Sequence, residues 1–166
     1  MSRPAIQGYS PLQIGLHWVI AALVIFQIVF GEEIKDLGRA LNRGTDPETA
    51  TVVLGNLHIW AGIAILALTV WRLALRFTRG APAPAGGTAL TLAIMKAAHG
   101  LFYALLLAMP VTGLVAWYLG VHDAGEIHEA MKPVFVLLIA LHVLAVVWHR
   151  AVLKDDTMAR MLRPGR

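Results

Sequence analysis

Four long apolar runs, separated by polar connections, organise the chain. They span roughly Leu12–Gly31, Val52–Leu75, Leu92–Leu119 and Glu129–Leu153. About 20 predominantly apolar residues suffice to carry a helix across a bilayer, and each run reaches that length. The intervening EEIKDLGRALNRGTDPETA reads as a loop, TRGAPAPAGGTAL as an irregular linker rich in Pro and Gly, and GVHDAGE as a short turn. No internal repeat is visible. The pattern predicts an all-α integral membrane protein, a bundle of four transmembrane helices forming one domain over residues 1–166.

Composition agrees with the pattern. The chain is 58% hydrophobic and 14% charged, whereas a soluble domain carries about a quarter charged residues. The first apolar run lacks the basic flank and small-residue cleavage site of a signal peptide, so it is expected to stay in the mature protein. The absence of cysteine excludes disulfides, iron–sulfur clusters and thiolate-bound haem or zinc. Charge then orients the bundle. Arg3, Arg72, Arg76, Arg79, Lys96, Arg150, Lys154, Arg160, Arg163 and Arg166 fall on one side, and only Lys35, Arg39, Arg43 and Lys132 on the other. Eight of the acids lie with the smaller basic group, and only Asp155 and Asp156 with the larger. Basic residues stay on the cytoplasmic side of a membrane, so both termini are expected there. The +4 net charge is thereby accounted for, and no nucleic-acid partner is expected.

Seven histidines carry the chemistry. His17, His58 and His99 lie in the first three runs, His122 in the last loop, and His128, His142 and His149 along the fourth run. Any one alone reads as an interfacial or satisfied polar residue. Several together in so apolar a bundle need a common partner, because a strongly polar side chain inside a membrane is costly. With no cysteine and few buried acids, a hard cation or zinc fits poorly, whereas neutral imidazoles from facing helices suit the two axial positions of haem iron. His128 and His142 are 14 residues apart, roughly 21 Å along a helix and on nearly one face, enough for two haems. His142 and His149, seven apart, are separated by only roughly 10 Å, which would crowd two macrocycles. His128 and His142 are therefore the expected ligands and His149 the reserve. Depth supplies the partners: His17 with His142 for an inner haem, His58 with His128 for an outer one.

Other residues can support such a site. Gly62, one turn from His58, and Gly113 leave room for a porphyrin or for close helix packing. Arg72 sits deep enough to meet a haem propionate, while Arg76 reads as a headgroup and topology residue. Lys96 and His99, with Tyr103 one turn on, form a candidate polar lip for a quinone head group or for propionates, or are simply interfacial. The five tryptophans, Trp18, Trp60, Trp71, Trp117 and Trp148, lie mainly toward span ends, as in an aromatic belt.

Taken together, YSPLQIGLHW, AMPVTGLVAWY and LKDDTMARMLRP resemble the bacterial cytochrome b561 family over nearly the whole chain. The best-understood branch of that family is a superoxide oxidase, and the membrane cytochrome b subunits of hydrogenases and formate dehydrogenases are similar to it. The resemblance implies a four-helix bundle in the bacterial inner membrane, two b-type haems, and electron exchange with ubiquinone. Family histidines fall on His17, His58, His128 and His142, and another falls on His149. The short GVHDAGE turn departs from the family at the outer entrance.

Three functions follow from these residues. The first is a superoxide:ubiquinone oxidoreductase that takes electrons from superoxide outside and reduces ubiquinone. The second is a cytochrome b conduit or anchor serving a partner dehydrogenase, hydrogenase or other redox protein. The third is a haem-free helical membrane protein. The acidic outer face repels an anion such as superoxide, unless Arg39, Arg43 and Lys132 form a local basic patch.

Overall fold

The computed structural model describes residues 8–82 and 86–165; Arg3 and Arg166, two of the orienting cations, lie outside the described residues. Among the described residues five α-helices follow in order: α1 Pro11–Phe30, α2 Glu33–Arg43, α3 Thr49–Arg79, α4 Ala89–Leu119 and α5 His122–Trp148. A π-helical turn, His149–Leu153, and a short 3-10 turn, Ala159–Met161, complete the chain. No strand occurs among the described residues. Helices α1, α3, α4 and α5 with its π turn are long and apolar enough to cross a membrane, as the four runs predict.

Local chemistry sets the helix ends. Ser10 caps α1: its hydroxyl accepts from the Gln13 backbone N–H at 3.3 Å, while Gln13 Oε1 accepts from the Ser10 N–H at 3.0 Å. This reciprocal capping box satisfies two otherwise orphaned donors, and Pro11 opens the helix where its missing N–H costs nothing. Thr88 caps α4 through the Thr91 N–H. Gly120, at φ 65°, ends α4 in the left-handed region that glycine enters freely.

Two connections differ from expectation. EEIKDLGRALNRGTDPETA is largely helical, because α2 occupies Glu33–Arg43. Glu33 and Asp36 in its first turn and Arg43 in its last complement the helix dipole, and Gly44 closes it at φ 66°. The segment is too short and too polar to span a bilayer, so span length does not mark it in the sequence. Its Leu37 is buried against α3, and a Cβ placed on Gly55 would come within 2.6 Å of Leu37 Cδ2. The second difference is at GVHDAGE. The connection is only Gly120–Val121, and His122 is the first residue of α5 rather than a loop residue.

Helix α3 packs against α1, α2 and α4, and α4 packs along α5. Helix α5 stands off from α1 and α3, with α4 its close neighbour. Ile20, Val24, Ile65, Leu105, Leu106 and Phe135 form the buried core. The outward faces carry many exposed apolar side chains, among them Val29, Val70, Ile94, Leu137 and Leu144, which suits a lipid-facing surface. The C-terminal segment returns to the start of α1: Trp18 Nε1 donates to the Met161 carbonyl at 2.8 Å and the Gly165 N–H to the Tyr9 carbonyl at 3.2 Å. The beginning of α1 and the chain's last residues thus share one end of the bundle.

Replacing Gly55 by valine will force Leu37 and α2 away from α3. Overpacking of this kind costs about 1–3 kcal/mol, and a lowered midpoint of thermal unfolding in detergent will report it.

Candidate functional site

The helices bring four of the histidines into two facing pairs. His17 on α1 faces His142 on α5 with ring centroids 6.5 Å apart. His58 on α3 faces His128 on α5 at 6.3 Å. Both pairs bridge α5 to helices with which it makes few close backbone contacts. Each helix supplies its imidazole by register: His17 follows Gln13 by one turn on α1, and the two α5 rings lie on nearly one face, roughly 21 Å apart along the axis.

The dimensions test whether a bis-imidazole iron fits. Metal–nitrogen bonds of about 2.0–2.1 Å, one to each ring from opposite sides, put the two centroids roughly 6.3 Å apart. Both pairs meet that figure. Ring chemistry agrees at the second pair. His128 Nδ1 lies 2.8 Å from the Met109 carbonyl oxygen. A carbonyl only accepts, so Nδ1 carries the proton and Nε2 is left as the basic nitrogen. A Cβ on Gly113 would sit 3.1 Å from that same Nδ1, so Gly113 makes room for the imidazole against α4. His58 Nδ1 is buried with no hydrogen-bond partner among the described residues. No group of three or more His, Asp or Glu side chains able to hold a free metal ion occurs among the described residues. The donor set therefore suits a macrocycle that brings its own equatorial nitrogens.

An aromatic partition separates the pairs. Phe135 lies seven residues from both His128 and His142 and is buried. Phe102 packs edge-on against Phe135 at 6.1 Å and against the His142 ring at 5.3 Å.

The remaining candidates fall into distinct places. His99 joins the first pair, its centroid 6.2 Å from that of His142, with Nδ1 donating to the Met95 carbonyl at 2.7 Å. His99 approaches from α4, which packs closely along α5, whereas His17 faces His142 from α1. Arg72 Nη1 donates to the Gln13 carbonyl at 3.1 Å and Nε to the Tyr103 hydroxyl at 3.4 Å. Tyr9, Gln13, Arg72, Arg76, Gly80, Ala81 and Tyr103 line a small polar cleft there, and Gln13 Nε2 reaches the Gly80 carbonyl at 3.1 Å. Lys96 is exposed on α4 and is not part of that cleft. Tyr9 and Gln13 escape sequence reasoning because they read only as the approach to α1.

His149 does not turn toward His17. It opens the π-helical turn, and its Nδ1 lies 2.5 Å from Asp155 Oδ2. Thr157 first, then His149, pull the Asp155 carboxyl down to about 2 from an ordinary value of 3.8. His122 is at the surface and pairs with Glu126 at 3.2 Å.

At the end of the bundle away from the termini, charges are matched. Glu32 pairs with Lys132 and with Lys35, and Lys35 also pairs with Glu129 at 3.1 Å. Lys132 first, then Lys35, hold the Glu32 carboxyl below its usual range, while Glu129 and then Glu32 raise the Lys35 ammonium. These exposed pairs contribute roughly 0–1 kcal/mol each; their effect is to tie the α1–α2 junction and α2 to α5. Arg39 is paired with Asp36, and with Arg43 it lines a separate cleft. Arg39, Arg43 and Lys132 therefore do not gather into one basic patch.

Comparison with known proteins decides the family. A model of the prokaryotic cytochrome b561 family matches residues 8–164. This chain belongs to that family. Its similarity to a protein named cytochrome b562 from Cereibacter sphaeroides is 36% identity over 157 residues, covering 95% of this chain and 96% of the relative. It is 28% identical over 180 residues to a probable superoxide oxidase from Yersinia pestis, covering 95% and 97% of the two chains. As a member of the cytochrome b561 family the chain is a bacterial membrane b-type cytochrome that transfers electrons, and haem b is its cofactor. The haem-free reading is set aside accordingly.

The carboxylate–imidazole latch at the C-terminal end of the cytochrome has a defined pH dependence. Asp155 is held low in the folded chain, so its contribution is complete above about pH 4, its unfolded range, and is lost as pH falls through about 2. Hydrogen exchange across residues 154–165 will accelerate in that window, and Asp155→Asn will show the fast exchange already at neutral pH.

Proposed function

We propose that the chain is a dihaem cytochrome b in the bacterial inner membrane that oxidises superoxide at the periplasmic side and reduces ubiquinone. Two imidazole pairs of matching spacing, set at opposite ends of α5, carry this reading. His17 and His142 would hold one haem, and His58 and His128 the other. The basic end, with both termini, lies in the cytoplasm. The name of the Yersinia relative supports superoxide as the donor.

Haem supplies iron that exchanges one electron at a time, and the protein sets its potential through axial ligands and burial. The chain's own residues do the rest. Met109 fixes the tautomer of His128 through its carbonyl, and Gly113 admits the ring. Phe102, Phe135 and the aliphatic core keep water from the space between the pairs. Arg72, held by Gln13 and Tyr103, would offer a cation at the cytoplasmic end to a propionate or a quinone oxygen; His99 lies beside His142, and Lys96 is exposed one turn before His99 on α4. The overall reaction balances: two superoxide anions become two oxygen molecules, and the two electrons released, with two cytoplasmic protons, convert ubiquinone to ubiquinol.

The matched charges of the outer end favour a second reading, in which the same cytochrome is a conduit for a partner redox protein. Lys35, Arg39 and Lys132 are each paired with an acid, so they add little steering of an anion.

The purified protein will show a b-type reduced-minus-oxidised spectrum with two haems per chain. Superoxide flux will reduce it and ubiquinone will reoxidise it; no haem reduction under that flux would leave the conduit reading. His142→Ala will lose one haem and His149→Ala none, as counted by pyridine haemochrome.

A further inference from the structure

Gln27 is a carboxamide in an apolar helix, one turn before the end of α1. Its Nε2 donates to the His58 backbone carbonyl at 2.8 Å. Its Oε1 is buried and has no hydrogen-bond partner among the described residues, and the buried His58 Nδ1 is unpaired in the same way. The two orphans are complementary. An amide oxygen accepts only, and the imidazole nitrogen that does not face a metal carries a proton to donate. Buried polar groups are paired in folded proteins, by one another or through a water.

The surroundings place both groups at one helix crossing. A Cβ on Gly62, one turn past His58, would meet Gln27 Nε2 at 3.4 Å. A Cβ on Gly31, one turn past Gln27, would meet His58 Cε1 at 3.5 Å. Two glycines thus leave carboxamide and imidazole in one slot between α1 and α3. The opposite ring shows what is missing. His128 is oriented by a carbonyl on its Nδ1, and among the described residues no backbone acceptor does this for His58.

We propose that Gln27 is the positioning residue of His58, its Oε1 accepting the Nδ1–H through one buried water and so presenting Nε2 toward His128. The proposal rests on His58 being a haem ligand. An acceptor on Nδ1–H makes imidazole a stronger donor at Nε2 and favours ferric iron, so it lowers the potential of that haem and leaves the other alone.

Redox titration of the full-length holoprotein, followed by its visible spectrum, tests this with three variants. His58→Ala identifies which titration step belongs to its haem. Gln27→Met keeps the length of the side chain but removes the acceptor, and will move that step alone to a more positive midpoint. Gln27→Glu keeps an acceptor oxygen at the same reach, so its midpoint stays at or below the wild-type value. If Gln27→Met loses the haem while Gln27→Glu retains it, the same role is supported. Wild-type midpoints in Gln27→Met, or equal effects of the two Gln27 variants, would overturn it. A full haem complement in His58→Ala would instead remove the ligand assignment beneath it.

Discussion

An imidazole inside an apolar bundle must have both ring nitrogens satisfied from within the protein, because lipid offers no hydrogen bonds. Much of this architecture follows from that demand. His128 meets it with a carbonyl of the facing helix on one nitrogen, leaving the other for a partner across the gap to α3. Met109 lies one residue before Pro110, and Gly113 lies one turn beyond it. Backbone acceptor and side-chain clearance are thus supplied within a single turn of α4. The close packing of α4 on α5 then has a chemical purpose: it orients α5, whose two rings face α1 and α3 on either side of the shared core around Phe135.

The two ends of the bundle solve different electrostatic problems. At the end away from the termini, Glu32, Lys35, Glu129 and Lys132 neutralise one another across α2 and α5. At the other end cations outnumber acids, and Arg72 is held by neutral groups, a backbone carbonyl and a phenol. A guanidinium satisfied only by neutral acceptors keeps its full charge available to an anionic group. The cleft at that end, lined by Tyr9, Gln13, Arg72, Arg76 and Tyr103, accordingly holds two guanidiniums and no acid among its lining residues.

Much of this was legible in the sequence, for physical reasons. Span length and apolar continuity give α1, α3, α4 and α5, since the bilayer sets the length. The 14-residue separation of His128 and His142 places two rings on one face, because 14 residues are close to four helical turns. Helix α2 was not legible as a span, although Leu37 and the charge order of Glu33, Asp36 and Arg43 fit a short surface helix. The orienting partners were invisible for a different reason. The Met109 carbonyl belongs to every residue type, and Gln13 and Gln27 gain meaning only from what α3 places beside them.

His149 shows where spacing ceases to be informative. Seven residues return a regular α-helix nearly to the same face, so the sequence leaves His149 beside His142 as a rival. The structure changes pitch at that residue. A π-helical turn begins at His149, Lys154 closes it at φ 53°, and the chain folds back so that Asp155 meets the His149 ring. Asp155 is in turn held by the Thr157 N–H at 2.9 Å. The ring nitrogen is thereby engaged at the surface, and the segment it anchors runs on to Trp18 and Tyr9 of α1. One histidine on the shared face is thus committed to closing the end of the bundle, while the other two remain turned toward α1 and α3. The Asp155 contact of the His149 ring, rather than the periodicity of the helix, separates it from His142.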